Sequence, residues 1–290
     1  MRDRAISSIG VVAVGLIPAF IGGPVFAAVF AVLMVIGFDE YRRMAGSLGV
    51  HVLALSAILL LPFGIGALAG GREEALLAAI AGAALFPIVF ELRGKKRPAP
   101  AAVQTWAFTT TGLNYLGIPL FAAVAIRGTN GDLDAGWVTD LADWLSPGWD
   151  ASPRGLAWLL IVILATWFGD TGAYLVGRAV GRTPLLPTVS PKKTVEGSIG
   201  GLLGSMLAGG IGAVVFGLDI PWHLGVAFGL LLGALGQIGD LCESLLKRQA
   251  GVKDSGTLIR GHGGVLDRVD ALIFALVAGF VTIPLIERWS

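Results

Sequence analysis

The sequence predicts an all-α polytopic membrane protein, and three observations carry that expectation. Of its 290 residues 55% are hydrophobic and only 14% are charged, with a mean hydropathy of +0.79. A soluble domain carries about 25% charged residues, and a water-soluble globule of this length could not hide so much apolar surface. The apolar residues also fall in runs that approach the ~20 needed for one helix to cross a bilayer. Finally, Lys and Arg segregate by loop. Other classes fail. Cys242 is the only cysteine, which excludes a disulfide framework. There is no low-complexity tract, no Gly at every third position and no sustained heptad.

Nine spans are expected, at 5–21, 24–38, 48–70, 75–92, 103–126, 156–177, 198–217, 222–240 and 269–286. The first two are separated by Ile21-Gly22-Gly23-Pro24. Pro62, Pro87 and Pro119 fall inside spans, where membranes tolerate them better than water does. With a cytoplasmic N-terminus, 17 of the 21 Lys and Arg residues lie in inside segments. Only Arg72, Arg127, Arg154 and Arg288 lie outside, and the bias agrees loop by loop. The expected topology is therefore about nine transmembrane helices, N-terminus cytoplasmic and C-terminus outside. The net charge of +1 then conceals an inside of +6 and an outside of −5. Segment 127–155 falls outside; it is acidic (Asp132, Asp134, Asp140, Asp143, Asp150) and offers Trp137, Trp144 and Trp149 as interface anchors. Two regions follow: N-terminal spans and the outside loop (1–155), and a C-terminal catalytic region (156–290). Met1-Arg-Asp-Arg before an apolar run resembles a secretory signal, but cleavage is not expected, since losing the first span would invert every later loop.

Three polar clusters fall on the expected cytoplasmic side. Phe168-Gly-Asp-Thr-Gly-Ala-Tyr174 places Asp170 near the inner end of a span, where an acid is costly unless paired or hydrated. Helix packing through Gly169 and Gly172 is the alternative. Ser190-Pro-Lys-Lys-Thr-Val-Glu-Gly197 enters the seventh span. Thr194 can cap that helix, and Lys192 and Lys193 beside a helix N-terminus suit an anion. Binding of lipid headgroups would serve equally. The third cluster runs from Gly239-Asp240 through Lys253-Asp-Ser-Gly-Thr257 to Asp270. Asp240, Glu243, Ser244 and Lys247 share one helical face, as do Asp267 and Asp270. Gly261, Gly263 and Gly264 allow close backbone approach around His262. Carboxylates among several cations describe a Mg²⁺–polyphosphate site, because Mg²⁺ takes one or two carboxylates plus phosphate oxygens. Three His and one Cys cannot build a common zinc site. Walker A and Gly-x-Ser-x-Gly sequences are absent. Basic residues beside membrane without interleaved aromatics exclude nucleic acid as a partner.

The third cluster closely resembles the signature of the phosphatidate cytidylyltransferase (CDP-diacylglycerol synthase) family. That pattern reads Ser-x-Leu-Lys-Arg, four residues, Lys-Asp-x-Gly, then His-Gly-Gly-x-x-Asp-Arg-x-Asp. Here it stands as Ser244-Leu-Leu-Lys-Arg248, Lys253-Asp-Ser-Gly256 and His262-Gly-Gly-Val-Leu-Asp-Arg-Val-Asp270. The 169–174 and 190–197 segments resemble family blocks in the expected order, whereas the first 150 residues match only in topology. One departure is Arg260, where the family has Pro or Gly; Arg cannot reproduce the fixed φ of proline.

The resemblance implies an integral enzyme of the bacterial cytoplasmic membrane, active site inward, that converts CTP and phosphatidate to CDP-diacylglycerol and pyrophosphate. It also suggests a homodimer. Asp240 and Asp267 are the expected Mg²⁺ ligands, with a second cation as an option and Asp170 behind them. Lys192, Lys193, Lys247, Arg248 and Arg268 are expected to hold phosphates, and His262 to contact a phosphate or assist the leaving group. Ser190, Thr194, Glu196, Ser244, Lys253, Asp254, Gly263 and Gly264 complete the expected substrate-binding set. Three other readings compete: a CTP enzyme acting on a different lipid phosphate, a cation or proton transporter using Asp170, Asp240 and Asp267, and a non-catalytic scaffold. The transporter reading suffers from the near absence of ionisable residues in the outer half of the spans, and the scaffold leaves the one-sided clustering unexplained.

Overall fold

The computed structural model describes residues 13–70, 73–93, 98–131, 133–145, 152–258 and 263–288. These are almost wholly helical. Residues 13–21 are helical and end at the left-handed Gly22 and Gly23 (φ 73° and 47°), as the Gly-Gly-Pro break requires. The elements that follow are α1 (Gly23–Ser47), a 3₁₀ segment (Ala54–Leu60), α2 (Leu61–Leu68), α3 (Glu73–Arg93), α4 (Ala99–Arg127), α5 (Gly136–Leu145), α6 (Pro153–Val180), β1 (Pro184–Leu186), β2 (Ser190–Thr194), α7 (Val195–Val215), α8 (Trp222–Gln249) and α9 (Leu266–Ile286).

Seven of these helices, α1, α3, α4 and α6 to α9, are long and apolar enough to cross a membrane. They coincide with seven of the nine expected spans, and the chain is an integral membrane protein by this measure. The expected span at 48–70 differs. It is a 3₁₀ segment of 7 residues followed by a helix of 8, with Pro62 in the first turn of α2. Proline lacks the N–H, which has no partner in a helix's first turn in any case, so Pro62 suits the start of α2. The expected span at 5–21 lies partly outside the described residues. The segment between α6 and α7, expected as a loop, contains a short antiparallel ribbon pairing Pro184 with Thr194 and Leu186 with Ser190.

The described residues fall into two compact units. One takes residues up to Pro18, Gly23–Ala125 and Leu246–Arg268; the other takes Ala19–Gly22, Ile126–Leu245 and the chain from Val269 onward. In the first, aromatic rings lie over glycines of α4. A Cβ on Gly112 would fall 2.5 Å from the Tyr41 ring, and one on Gly117 would fall 2.5 Å from the Phe63 ring. Met34, Phe38, Leu60, Leu113 and Leu116 fill the same core. In the second unit Arg127 is buried and donates to the carbonyls of Ala19 (2.6 Å), Phe20 (3.3 Å) and Ser152 (3.1 Å). A guanidinium at the end of helix 13–21 satisfies carbonyls that have no partner within that helix and opposes the negative end of its dipole.

Helices α6, α7 and α8 approach backbone to backbone. A Cβ on Gly172 would lie 2.4 Å from the Gly200 carbonyl oxygen, on Gly204 2.3 Å from that of Phe168, and on Gly229 2.2 Å from that of Ser205. Lipid tails are as apolar as leucine, so helix association in a membrane relies on close packing of small residues. The 43 glycines of the chain are partly explained this way. Gly172→Val should force α6 from α7 and lower stability by about 1–3 kcal/mol. The check is thermal unfolding in detergent, with Gly82→Ala as a near-neutral control, since a Cβ there meets nothing within 4 Å.

Candidate active site

The first polar block is divided between packing and solvent. Gly169 and Gly172 are packing positions: a Cβ on Gly169 would strike the Ser205 hydroxyl at 2.6 Å. Asp170, between them, is exposed.

The second block is the ribbon and the start of α7. Thr194 caps α7, its hydroxyl accepting from the Gly197 N–H at 3.1 Å. Glu196, in the first turn, accepts from the N–H groups of Arg182 (3.1 Å) and Thr183 (3.2 Å) and from the Thr183 hydroxyl (2.9 Å). Its carboxylate therefore fastens the turn leaving α6 onto the helix that follows the ribbon. With both ends of the ribbon held, Lys193 reaches α8 and pairs with Asp240 Oδ2. Ser244, one turn on, donates to Asp240 Oδ1 at 3.4 Å. The ion pair is open to solvent, with side chains 30% and 27% exposed. Lys192 is exposed, and Ser190 begins β2.

The third block centres on Asp267, in the first turn of α9. Its Oδ2 accepts from the Gly264 N–H (2.7 Å), the Ser255 N–H (2.9 Å) and the Ser255 hydroxyl (2.9 Å). Its Oδ1 accepts from Lys247 Nζ at 2.7 Å. This pair is enclosed, with side chains 12% and 7% exposed. Gly263 is left-handed (φ 83°), and a Cβ there would lie 2.4 Å from Asp267 Oδ2, so both backbone and space require glycine. Arg248, Lys253, Asp254 and Arg268 are exposed. His262 and Arg260 lie outside the described residues.

Thus Lys193, Asp240 and Ser244 are brought together in one cluster, and Lys247, Asp267, Gly263 and Gly264 in another. Two participants escaped sequence reasoning. Ser255 sits in the motif as its variable position, yet its hydroxyl also lies 3.0 Å from Glu40 Oε2. Glu40, on α1, is 2% exposed and accepts from the N–H groups of Val265 and Leu266, each at 2.9 Å. Its only sequence signal is its spacing, three residues after the buried Gly37 and four before the buried Met44.

Among the described residues no three His, Cys, Asp or Glu side chains gather as a metal cage. The donor chemistry fits a hard cation that brings its own phosphate ligands. Among the described residues, Asp267 Oδ1 accepts from the Lys247 ammonium, Asp240 Oδ2 from the Lys193 ammonium, and Asp240 Oδ1 from the Ser244 hydroxyl at 3.4 Å.

Residues 2–285 match the model of the cytidylyltransferase family. The chain belongs to that family. The chain is 34% identical to a phosphatidate cytidylyltransferase of Synechocystis sp. over 98% of its own length and 97% of the relative's. Proteins of the same name from Staphylococcus saprophyticus and Staphylococcus aureus are 42% and 43% identical over 44% of this chain and 49% of theirs.

The two ion pairs of this cytidylyltransferase differ in burial, and stability should report it. Lys247→Met leaves Asp267 enclosed without its cation and should cost about 3 kcal/mol. Lys193→Met breaks a solvent-open pair and should cost no more than about 1 kcal/mol. Thermal unfolding in detergent ranks the two.

Proposed function

We infer that this chain transfers the cytidylyl group of CTP to phosphatidate, forming CDP-diacylglycerol and releasing pyrophosphate. The full-length match to a phosphatidate cytidylyltransferase is the observation that carries this reading. The geometry supports it: two carboxylate–lysine pairs, Asp240 with Lys193 and Asp267 with Lys247, fall within the polar blocks of a chain rich in apolar helices.

An oxygen of the phosphatidate phosphate attacks the α-phosphorus of CTP. A P–O bond forms there, the bond to the β-phosphate oxygen breaks, and pyrophosphate departs with that electron pair. The attacking group is already an anion, so no strong base is required. The obstacle is bringing two polyanions together in line, which makes positioning and charge neutralisation the main tasks. Lys193 and Lys247 would exchange their carboxylates for phosphate oxygens as substrates arrive, and Lys192, Arg248 and Arg268 are exposed to meet the same charge. Asp240 and Asp267 would then offer carboxylate oxygens to Mg²⁺, or to it and a second cation. When bound, the ion neutralises charge on the phosphoryl oxygens. His262 is assigned to phosphate contact or leaving-group assistance by its place in the motif, and Asp170 and Glu196 to supporting roles.

The Lys and Arg bias favours a cytoplasmic N-terminus, nine spans with the two N-terminal candidates included, an outer C-terminus and a site on the cytoplasmic side of a bacterial inner membrane. The acyl chains stay in the bilayer, so phosphatidate enters laterally between helices. A homodimer is the assembly suggested by the family.

Purified protein in detergent should release pyrophosphate from CTP only when phosphatidate and Mg²⁺ are both present, and chelation with EDTA should stop it. Release without phosphatidate, or ion flux in vesicles with no CTP turnover, would overturn this reading.

A further inference from the structure

We propose that Glu40 is a positioning residue of this catalytic centre, acting from the N-terminal half of the chain on the segment that presents Asp267. The inference rests on the proposed reaction.

Glu40 lies on α1 with its carboxylate enclosed. It accepts from the first N–H groups of α9, those of Val265 and Leu266, both at 2.9 Å. A helix start leaves such donors without partners within the helix and favours negative charge there. Here the anion comes from a residue 225 positions earlier in the chain. Its second connection runs through Ser255, whose hydroxyl stands between Glu40 Oε2 (3.0 Å) and Asp267 Oδ2 (2.9 Å). Glu40 therefore acts on Asp267 by two routes: the helix that bears it and the serine that holds its carboxylate.

Space tells the same story. A Cβ on Gly256 would fall 2.5 Å from Glu40 Oε1. One on Gly264 would fall 2.4 Å from each Glu40 oxygen and 2.3 Å from the Ser255 hydroxyl. Neither glycine has a left-handed backbone. Both are small because the Glu40 carboxylate fills the volume a side chain would take. A glutamate tip would ordinarily swing aside, but this one is pinned by two N–H groups and shares the single Ser255 hydroxyl proton with Asp267, so displacing it breaks charge-assisted bonds inside the protein.

The test uses full-length protein in detergent with CTP, phosphatidate and Mg²⁺. Glu40→Gln keeps the shape but replaces an accepting oxygen with a donor facing N–H groups. Gly256→Ala keeps the charge and displaces it. Both should lower kcat by roughly tenfold to a hundredfold, as expected for ångström-scale misplacement of a reacting group. KM for CTP and phosphatidate should stay within about threefold, since neither substrate touches Glu40. Backbone amide exchange in peptides containing Ser255 and those containing Val265 and Leu266 should accelerate in both variants, without substrate present. In the Glu40→Gln/Ser255→Ala double variant the combined kcat loss should be smaller than the sum of the two single losses, because both include the serine route. Normal kcat in both single variants, unchanged exchange, or additive losses would each overturn the proposal. If Glu40→Gln fails to fold, Gly256→Ala still decides it. Should the wild type transfer no cytidylyl group, the reaction fails, while the exchange measurement tests the link from Glu40 to the 255 and 265 segments separately.

Discussion

Among the described residues, four donors stand at the Asp267 carboxylate, and much of the surrounding structure is arranged around them. Two come from backbone N–H groups, one from a serine and one from Lys247. A carboxylate in an apolar protein is tolerable only when its charge is matched and its lone pairs are filled. Filling them folds the segment after α8 back onto the start of α9. It also explains a glycine, since Gly263 both turns left-handed and clears the oxygen. Asp267 thus organises its own surroundings before any substrate is considered, while among the described residues its Oδ1 accepts from Lys247.

Asp240 stands in a different environment. Its partners are a lysine from the ribbon and a serine one turn away, and both members of its ion pair are partly open to solvent. What holds it in place is farther out: Thr194 capping α7, Glu196 fastening the turn before the ribbon, and glycine contacts that bring α6, α7 and α8 to backbone distance. The polar groups that could meet phosphate are the exposed ends of elements whose apolar and glycine faces do the packing.

Much of this was legible in the sequence. Seven apolar runs became seven helices, because length and composition are local properties. Capping by Thr194 followed from residue type and position alone. Within the motif from Ser244 to Asp270, Lys247, Asp267 and the glycines at 263 and 264 gather in space. Some features depended on longer-range or competing terms. The run at 48–70 holds a 3₁₀ segment leading into a short helix, where hydropathy suggested one long helix. The ribbon at 184–194 is too short to show alternation. Gly169 and Gly172 proved to be packing positions, although they flank an acid in a family block. Glu40 was hidden most deeply. It sits beside Asp39, Arg42 and Arg43, which pair locally along α1 and make the whole stretch read as a helix end. Its own partners are more than 200 residues away, and no local pattern announces them.

The central claim is a division of labour between two carboxylates: Asp240 serves the reaction alone, and Asp267 serves both the reaction and the local fold. Measuring cytidylyl transfer and amide exchange side by side in Asp240→Asn and Asp267→Asn tests it most directly. Both variants should lose transfer. Only Asp267→Asn should also lose protection at the Ser255 and Gly264 amides, whose acceptor it weakens. Normal transfer in either variant, or equal protection at those amides in both, would contradict the account.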